Sequence, residues 1–175
     1  MSFSALNRRQ FFKTSVLGCA ALSLPKVWGG KSDLAASQTA SEYESLMRGL
    51  VREWGEAMLT MQIHQPADPT VHGALGCPAC GFIHGRCLDA VYPFLHLAKH
   101  TGQDHYLQAG IAVFDWSRNV SLPNGAWTVI PDPKSWTGIT VFGAIALAET
   151  LHFHSDLLSP AIRTRWTARL RQAAG

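Results

Sequence analysis

The sequence predicts an all-α fold built from helical hairpins. Apolar residues recur at three-and-four spacing along several segments, and glycine, proline or short polar connectors separate those segments. One pattern also repeats: Val91-Tyr92, Leu95 and Leu97-Ala98 align with Val141-Phe142, Ile145 and Leu147-Ala148 at an offset of 50 residues. Each copy opens a helix pair, so the repeating unit is a helical hairpin.

The chain begins with a targeting segment. Asn7-Arg8-Arg9-Gln10-Phe11-Phe12-Lys13 resembles the twin-arginine translocation motif, and the eleven residues Thr14 to Leu24 form a mildly apolar stretch too short to span a bilayer. That order of basic, apolar and small-residue regions implies export in the folded state, with the twin-arginine translocase as a partner and a periplasmic or secreted destination. Val16-Leu17-Gly18-Cys19 offers a weaker reading as a lipid-anchor box, because few apolar residues precede Cys19. Small residues at Trp28-Gly29-Gly30 and at Leu34-Ala35-Ala36 leave the cleavage point open. Residues 1–36 read as signal and tether, and 37–175 as the helical-hairpin domain.

Ser41 followed by Glu44 predicts a capping box for a first helix running to about Gln62, with an apolar stripe from Tyr43 to Met61. Pro66, Pro69 and Gly73 then break the chain. A second helix is expected from near Gly85 to His100, with Pro93 as a kink or as its true start, and Thr101-Gly102 as its stop. A third, from Asp104 to Arg118, follows a short connector and makes the pair antiparallel. Ser121 to Ser135 reads as a long loop holding a short extended hairpin around Pro123-Asn124-Gly125. A fourth helix from Thr137 to Phe153 is apolar throughout, as a buried wall would be, and Ser159-Pro160 starts a fifth. Trp166 and Leu170 on that last helix lack a predicted cover. Hairpins need neighbours on both sides, so the chain reads as the opening portion of a longer protein.

The net charge of +3 includes five basic residues of the signal region; from Ser32 onward ten basic residues face twelve acidic ones, a net of −2. Four of those ten, Arg163, Arg165, Arg169 and Arg171, form a local patch. Charge therefore gives nucleic-acid binding little support, and no apolar run is long enough for a stable membrane span.

The densest group of chemical side chains is Cys77-Pro78-Ala79-Cys80-Gly81-Phe82-Ile83-His84-Gly85-Arg86-Cys87. Cys77, Cys80, His84 and Cys87 supply the sulfur and imidazole donors that tetrahedral zinc prefers. Structural or disulfide cysteines and a redox Cys-Pro-Ala-Cys pair stand beside that reading, although a thioredoxin-like alternation of strand and helix is missing. His84, Arg86, Asp89 and Tyr92 gather an imidazole, a guanidinium, a carboxylate and a phenol at the entrance of the second helix. They suit an acidic substrate and proton transfer, or else an Arg86–Asp89 ion pair with Tyr92 in the core. Trp116, Trp127 and Trp136 sit in or beside the long loop, where rings stack on sugar faces or fill the core. His152 and His154 point to different helix faces and do not suit one metal.

The run from Cys77 to Ala168, with Cys-Pro-Ala-Cys, His-Gly-Arg-Cys, Asp-Ala-Val-Tyr-Pro-Phe-Leu, Phe-Asp-Trp, Ser-Trp-Thr-Gly-Ile-Thr-Val-Phe-Gly and Trp-Thr-Ala-Arg-Leu, resembles the N-terminal region of exported bacterial six-hairpin proteins. Those are (α/α) toroid enzymes of polysaccharide breakdown, both glycoside hydrolases and uronate-active lyases. The resemblance implies an incomplete portion of an (α/α)6 toroid and an enzyme of acidic glycans; no cofactor is expected to be required, with zinc possible. Asp89 fits a hydrolase carboxylate, whereas His84 and Tyr92 with Arg86 fit a lyase. A full toroid needs about twelve helices, more than the five expected here. A metal-binding or redox module exported folded, with zinc as the candidate metal, is the alternative. A non-catalytic helical scaffold or glycan-binding part is the third.

Overall fold

A computed structural model describes residues 32–175, with side chains from residue 41 onward. The twin-arginine motif, Arg8, Arg9 and Cys19 lie outside the described residues. Residues from Ala40 onward pack as one unit. The fold is all-α, arranged as helical hairpins in a way consistent with an incomplete (α/α) toroid, and its only β pairing among the described residues is three isolated bridges.

Helix α1 spans Ser32–Met61, about 45 Å of rise. The expected capping box is absent: Ser41 lies inside α1, and Glu44 pairs instead with Arg48 at 2.6 Å. The alanines just before Ser41 favour helix and carry it on through the serine. Val51, Met58 and Leu59 of α1 pack on the core. Buried Gly55 lets it close on the next helix, since a Cβ there would stand 2.1 Å from Leu97 Cδ1. Tyr106 donates from its hydroxyl to Glu56 at 2.5 Å nearby, and burial with that carboxylate pushes the phenol up to about 12.

A long connection follows, tied down by buried Gln62. Its amide donates to the Gly73 carbonyl at 3.1 Å and to the Ala109 carbonyl at 3.0 Å. A 3-10 turn, Gly85–Ala90, leads into α2, Val91–Thr101. Pro93 thus falls in the first turn, where backbone N–H groups lack intrahelical partners and proline costs no hydrogen bond. Gly102, at φ 69°, ends α2 in the left-handed conformation and donates to Ala98, as the sequence leads one to expect.

Helix α3, Asp104–Trp116, tightens into a 3-10 turn at Ser117–Val120 and completes the first hairpin with α2. The loop after it folds back through Gly125, at φ 90°, with one bridge between Ser121 and Trp127 where a hairpin was expected. Helix α4, Thr140–Phe153, packs on α2 and pairs with α5, Pro160–Ala174. Ser159 caps α5, accepting from the Ile162 N–H at 3.4 Å.

Two expectations about these helices need correction. Trp166 is fully buried, stacked on Phe114, and Leu170 packs on the core beside it, so α5 finds its cover in α3. Helix α4 is not a buried wall: Gly143, Ala146, Leu147 and Thr150 face inward, while Val141, Phe142 and Ile145 face out. The repeat explains the difference. Val91 and Leu95 are buried on α2, which packs against both α3 and α4, but their counterparts Val141 and Ile145 stand exposed among the described residues.

Candidate functional site

The site lies where the loop before Gly85 enters α2. Cys77 and Cys80 sit on a tight turn: the Cys77 N–H donates to the Phe82 carbonyl at 2.9 Å, and the Gly81 N–H donates to the Cys77 carbonyl at 2.9 Å. Gly81 has φ 73°, a conformation that a side chain would strain. A bridge between Gly76 and Ile83 closes the turn and returns the chain so that His84 faces the two sulfurs. The donor atoms of Cys77, Cys80 and His84 all lie within 4.8 Å of one another, with Cys80 Sγ 3.0 Å from His84 Nε2. Hydrogen bonding from Cys80, and from the backbone at Ala79 and Cys80, holds the Cys77 thiol below its ordinary range.

Cys87 does not join them. Its thiol exchanges hydrogen bonds with the backbone of Leu75, donating to the carbonyl at 3.2 Å and accepting from the N–H at 3.3 Å. Burial pushes that thiol up, as expected of a cysteine that packs. The four-ligand set read from the sequence therefore reduces to three, because the 3-10 turn carries Cys87 inward.

Gly85 fixes the turn against the long loop. Its N–H donates to the Val129 carbonyl at 2.7 Å, and a Cβ there would stand 2.1 Å from the Thr128 carbonyl oxygen. Arg86 Nε then donates to Asp89 Oδ2 at 2.5 Å, and its guanidinium lies 4.2 Å from the centre of the Phe142 ring. The contact to Asp89 occupies only Nε, so the paired terminal nitrogens remain for a planar anion. Burial raises the Asp89 carboxyl against the opposing pull of Arg86, and Asp89 Oδ1 is buried without a partner among the described residues.

Tyr92 turns elsewhere. Its ring lies 5.3 Å from His154 and 6.2 Å from His96, centre to centre, and it borders an apolar cavity of about 570 Å³ with Trp54, Met58, Met61 and His96. His96 is in turn 4.3 Å from His100 and 5.6 Å from His154. The structure thus joins Arg86 to Asp89 and His84 to the cysteines, and sets Tyr92 in a histidine stripe. Sequence reasoning missed that stripe, although Tyr92, His96 and His100 stand at helical i, i+4 spacing.

The tryptophans separate as well. Trp127 is fully buried beneath the Arg169 guanidinium at 3.8 Å and cannot meet a sugar. Trp116 is nearly so, donating to the Thr70 carbonyl at 2.8 Å, with an edge on a cavity of about 720 Å³ beside His64, His72, His105 and Arg118. Trp136 alone of the three is exposed, at 64%. Large rings beside a loop bury most area by turning inward, which decided two of the three.

Residues 51–175 match the family model described as the ulvan lyase N-terminal domain. A broad-specificity ulvan lyase of Formosa agariphila is 47% identical over 169 residues, 96% of this chain and 26% of that protein. The chain therefore spans about a quarter of the length of that relative. No solved structure matches. On the extent of these matches, the chain belongs to the ulvan lyase N-terminal domain family.

Proposed function

We propose that this chain is the N-terminal helical portion of an exported polysaccharide lyase that cleaves ulvan or a similar acidic glycan. The observation that carries the reading is the 47% identity over 96% of the chain to an ulvan lyase. That relative is a lyase, and nothing supports a hydrolase. In the complete protein, further hairpins of an (α/α) toroid would cover the apolar faces of α1 and α4, where Tyr43, Leu46, Trp54, Val141 and Ile145 stand exposed. The Arg8-Arg9 signal would bring the twin-arginine translocase to the folded chain and place the enzyme in the periplasm or outside the cell.

The chemistry expected is β-elimination at a uronate. A base takes the proton from the carbon next to the carboxylate, the freed electron pair forms a carbon–carbon double bond, and the bond to the glycosidic oxygen breaks. That oxygen leaves with a proton from an acid. No water is consumed, and charge building on the carboxylate needs a cation. Arg86 suits that task, with its terminal nitrogens available and Asp89 steering the group. Tyr92 faces His96 and His154, apart from the Arg86–Asp89 pair, so the proton transfer at a uronate held by Arg86 falls to another group of the complete protein. His84 is already engaged by Cys80, so it serves the cysteine cluster better than the proton transfer.

Arg86→Ala in the full-length protein should lower turnover of ulvan about 100-fold, read as ultraviolet absorbance of the unsaturated uronate product. Unchanged turnover would remove Arg86 from the site. A self-standing metal or redox module is a second reading, favoured only by the cysteine cluster; glycan turnover by the complete protein would set it aside.

A further inference from the structure

We propose that Cys77, Cys80 and His84 bind one zinc ion, which clips the loop before Gly85 and so holds the turn that carries Arg86 and Asp89. The inference stands apart from the lyase reading, because it rests on the backbone and donor atoms of this loop alone.

Three features carry it. The turn from Gly76 to Ile83 presents two sulfurs on one side: the Gly81 N–H closes back on Cys77, the Cys77 N–H closes forward on Phe82, and Gly81 takes a left-handed φ of 73°. The strand-like return through Ile83 then delivers an imidazole to the same side, 3.0 Å from Cys80 Sγ. Finally, all donor separations fall within 4.8 Å. With zinc–sulfur bonds of about 2.3 Å and zinc–nitrogen bonds of about 2.0 Å, tetrahedral geometry sets donor atoms roughly 3.5–3.8 Å apart, so small side-chain rotations complete the site.

The donors also select the metal. Two thiolates and an imidazole suit zinc and disfavour calcium or magnesium, which take oxygen. Cys87 is excluded by its hydrogen bonds to Leu75, which leaves the fourth tetrahedral position to water or to a donor from elsewhere in the complete protein. Export of the folded protein would let the site fill before the cysteines meet an oxidising compartment.

The test uses the full-length protein purified under reducing conditions. Elemental analysis should find one zinc per chain. Cys77→Ser, Cys80→Ser and His84→Ala should each lower that content by about tenfold or more, while Cys87→Ala should keep it. Cobalt(II) exchanged into the unsubstituted protein should give thiolate-to-metal charge-transfer absorption of two sulfur ligands, a readout that survives if a variant fails to fold. Metal-free protein that also takes up no cobalt would overturn the proposal. So would a Cys77–Cys80 disulfide in freshly purified protein, or zinc lost from a folded Cys87→Ala variant.

Discussion

Trp166 of α5 stacks on Phe114 of α3, with ring centres 4.5 Å apart and planes 25° from parallel. Arg165, next to it, reaches Asp115 at 2.7 Å and lies over the same Phe114 ring. The contact fastens the second hairpin to the first. Trp166→Ala should therefore cost about 3–5 kcal/mol, whereas Arg165→Ala, which breaks an exposed pair, should cost under about 1 kcal/mol. Urea unfolding of the two variants checks the ranking, and equal costs would mean that the ring stack does not hold α5 in place.

Gly85 has no room for a side chain, because the nearest obstacle is the Thr128 backbone and not a flexible group. Gly85→Ala should destabilise the protein by about 1–3 kcal/mol and displace Arg86. On the proposed lyase reading, turnover of ulvan by the full-length protein should fall with it. A variant with wild-type melting temperature would show that the turn and the long loop are not pinned together here.

His154 is buried, and neither of its ring nitrogens has a hydrogen-bond partner among the described residues. Burial, with positive charge at His96 and Lys99, holds its imidazole below the ordinary value of 6.5. Burial and His100 do the same for His96. The unfolded chain takes up these protons near pH 6.5 and the folded chain only at lower pH, so stability is complete above about pH 6.5 and is lost as pH falls from there through the depressed folded values. The slope should reach up to about 1.4 kcal/mol per pH unit for each histidine. Melting curves across this range should be flatter for His154→Phe, and identical slopes would contradict the assignment.

Two exposed apolar faces test the proposed toroid. Trp54 is 65% exposed on α1 and Ile145 is 56% exposed on α4. In a preparation of residues 37–175 alone, Trp54→Glu and Ile145→Glu should reduce self-association, measured by light scattering. In the full-length protein the same changes should lower the melting temperature, because later hairpins would lie on these faces. Stabilisation in both contexts would mean that the faces are solvent surfaces.

Much of the fold was legible because its signals are local. Gly102 ends α2, Ser159-Pro160 starts α5, and the placement of Pro93 in a first turn follows from its missing N–H. What failed depended on tertiary partners. The Ser41 start was overridden by helix-favouring residues ahead of it, and α4 is apolar on a face that stands exposed among the described residues. At the site, the spacing of Cys77, Cys80 and His84 was enough to bring them together, and Arg86 found Asp89 one turn away. The separation of Cys87, the burial of Trp127 and the pairing of Tyr92 with His154 were not legible. Each depends on which way a 3-10 turn or a loop rotates against a helix far along the chain.

The central claim is that the complete protein cleaves an acidic glycan by elimination, and the most direct measurement is digestion of ulvan in heavy-oxygen water followed by mass spectrometry of the products. Elimination predicts new ends that carry an unsaturated uronate and no incorporated heavy oxygen. Saturated ends labelled with heavy oxygen, or intact ulvan after prolonged incubation with the full-length enzyme, would contradict it.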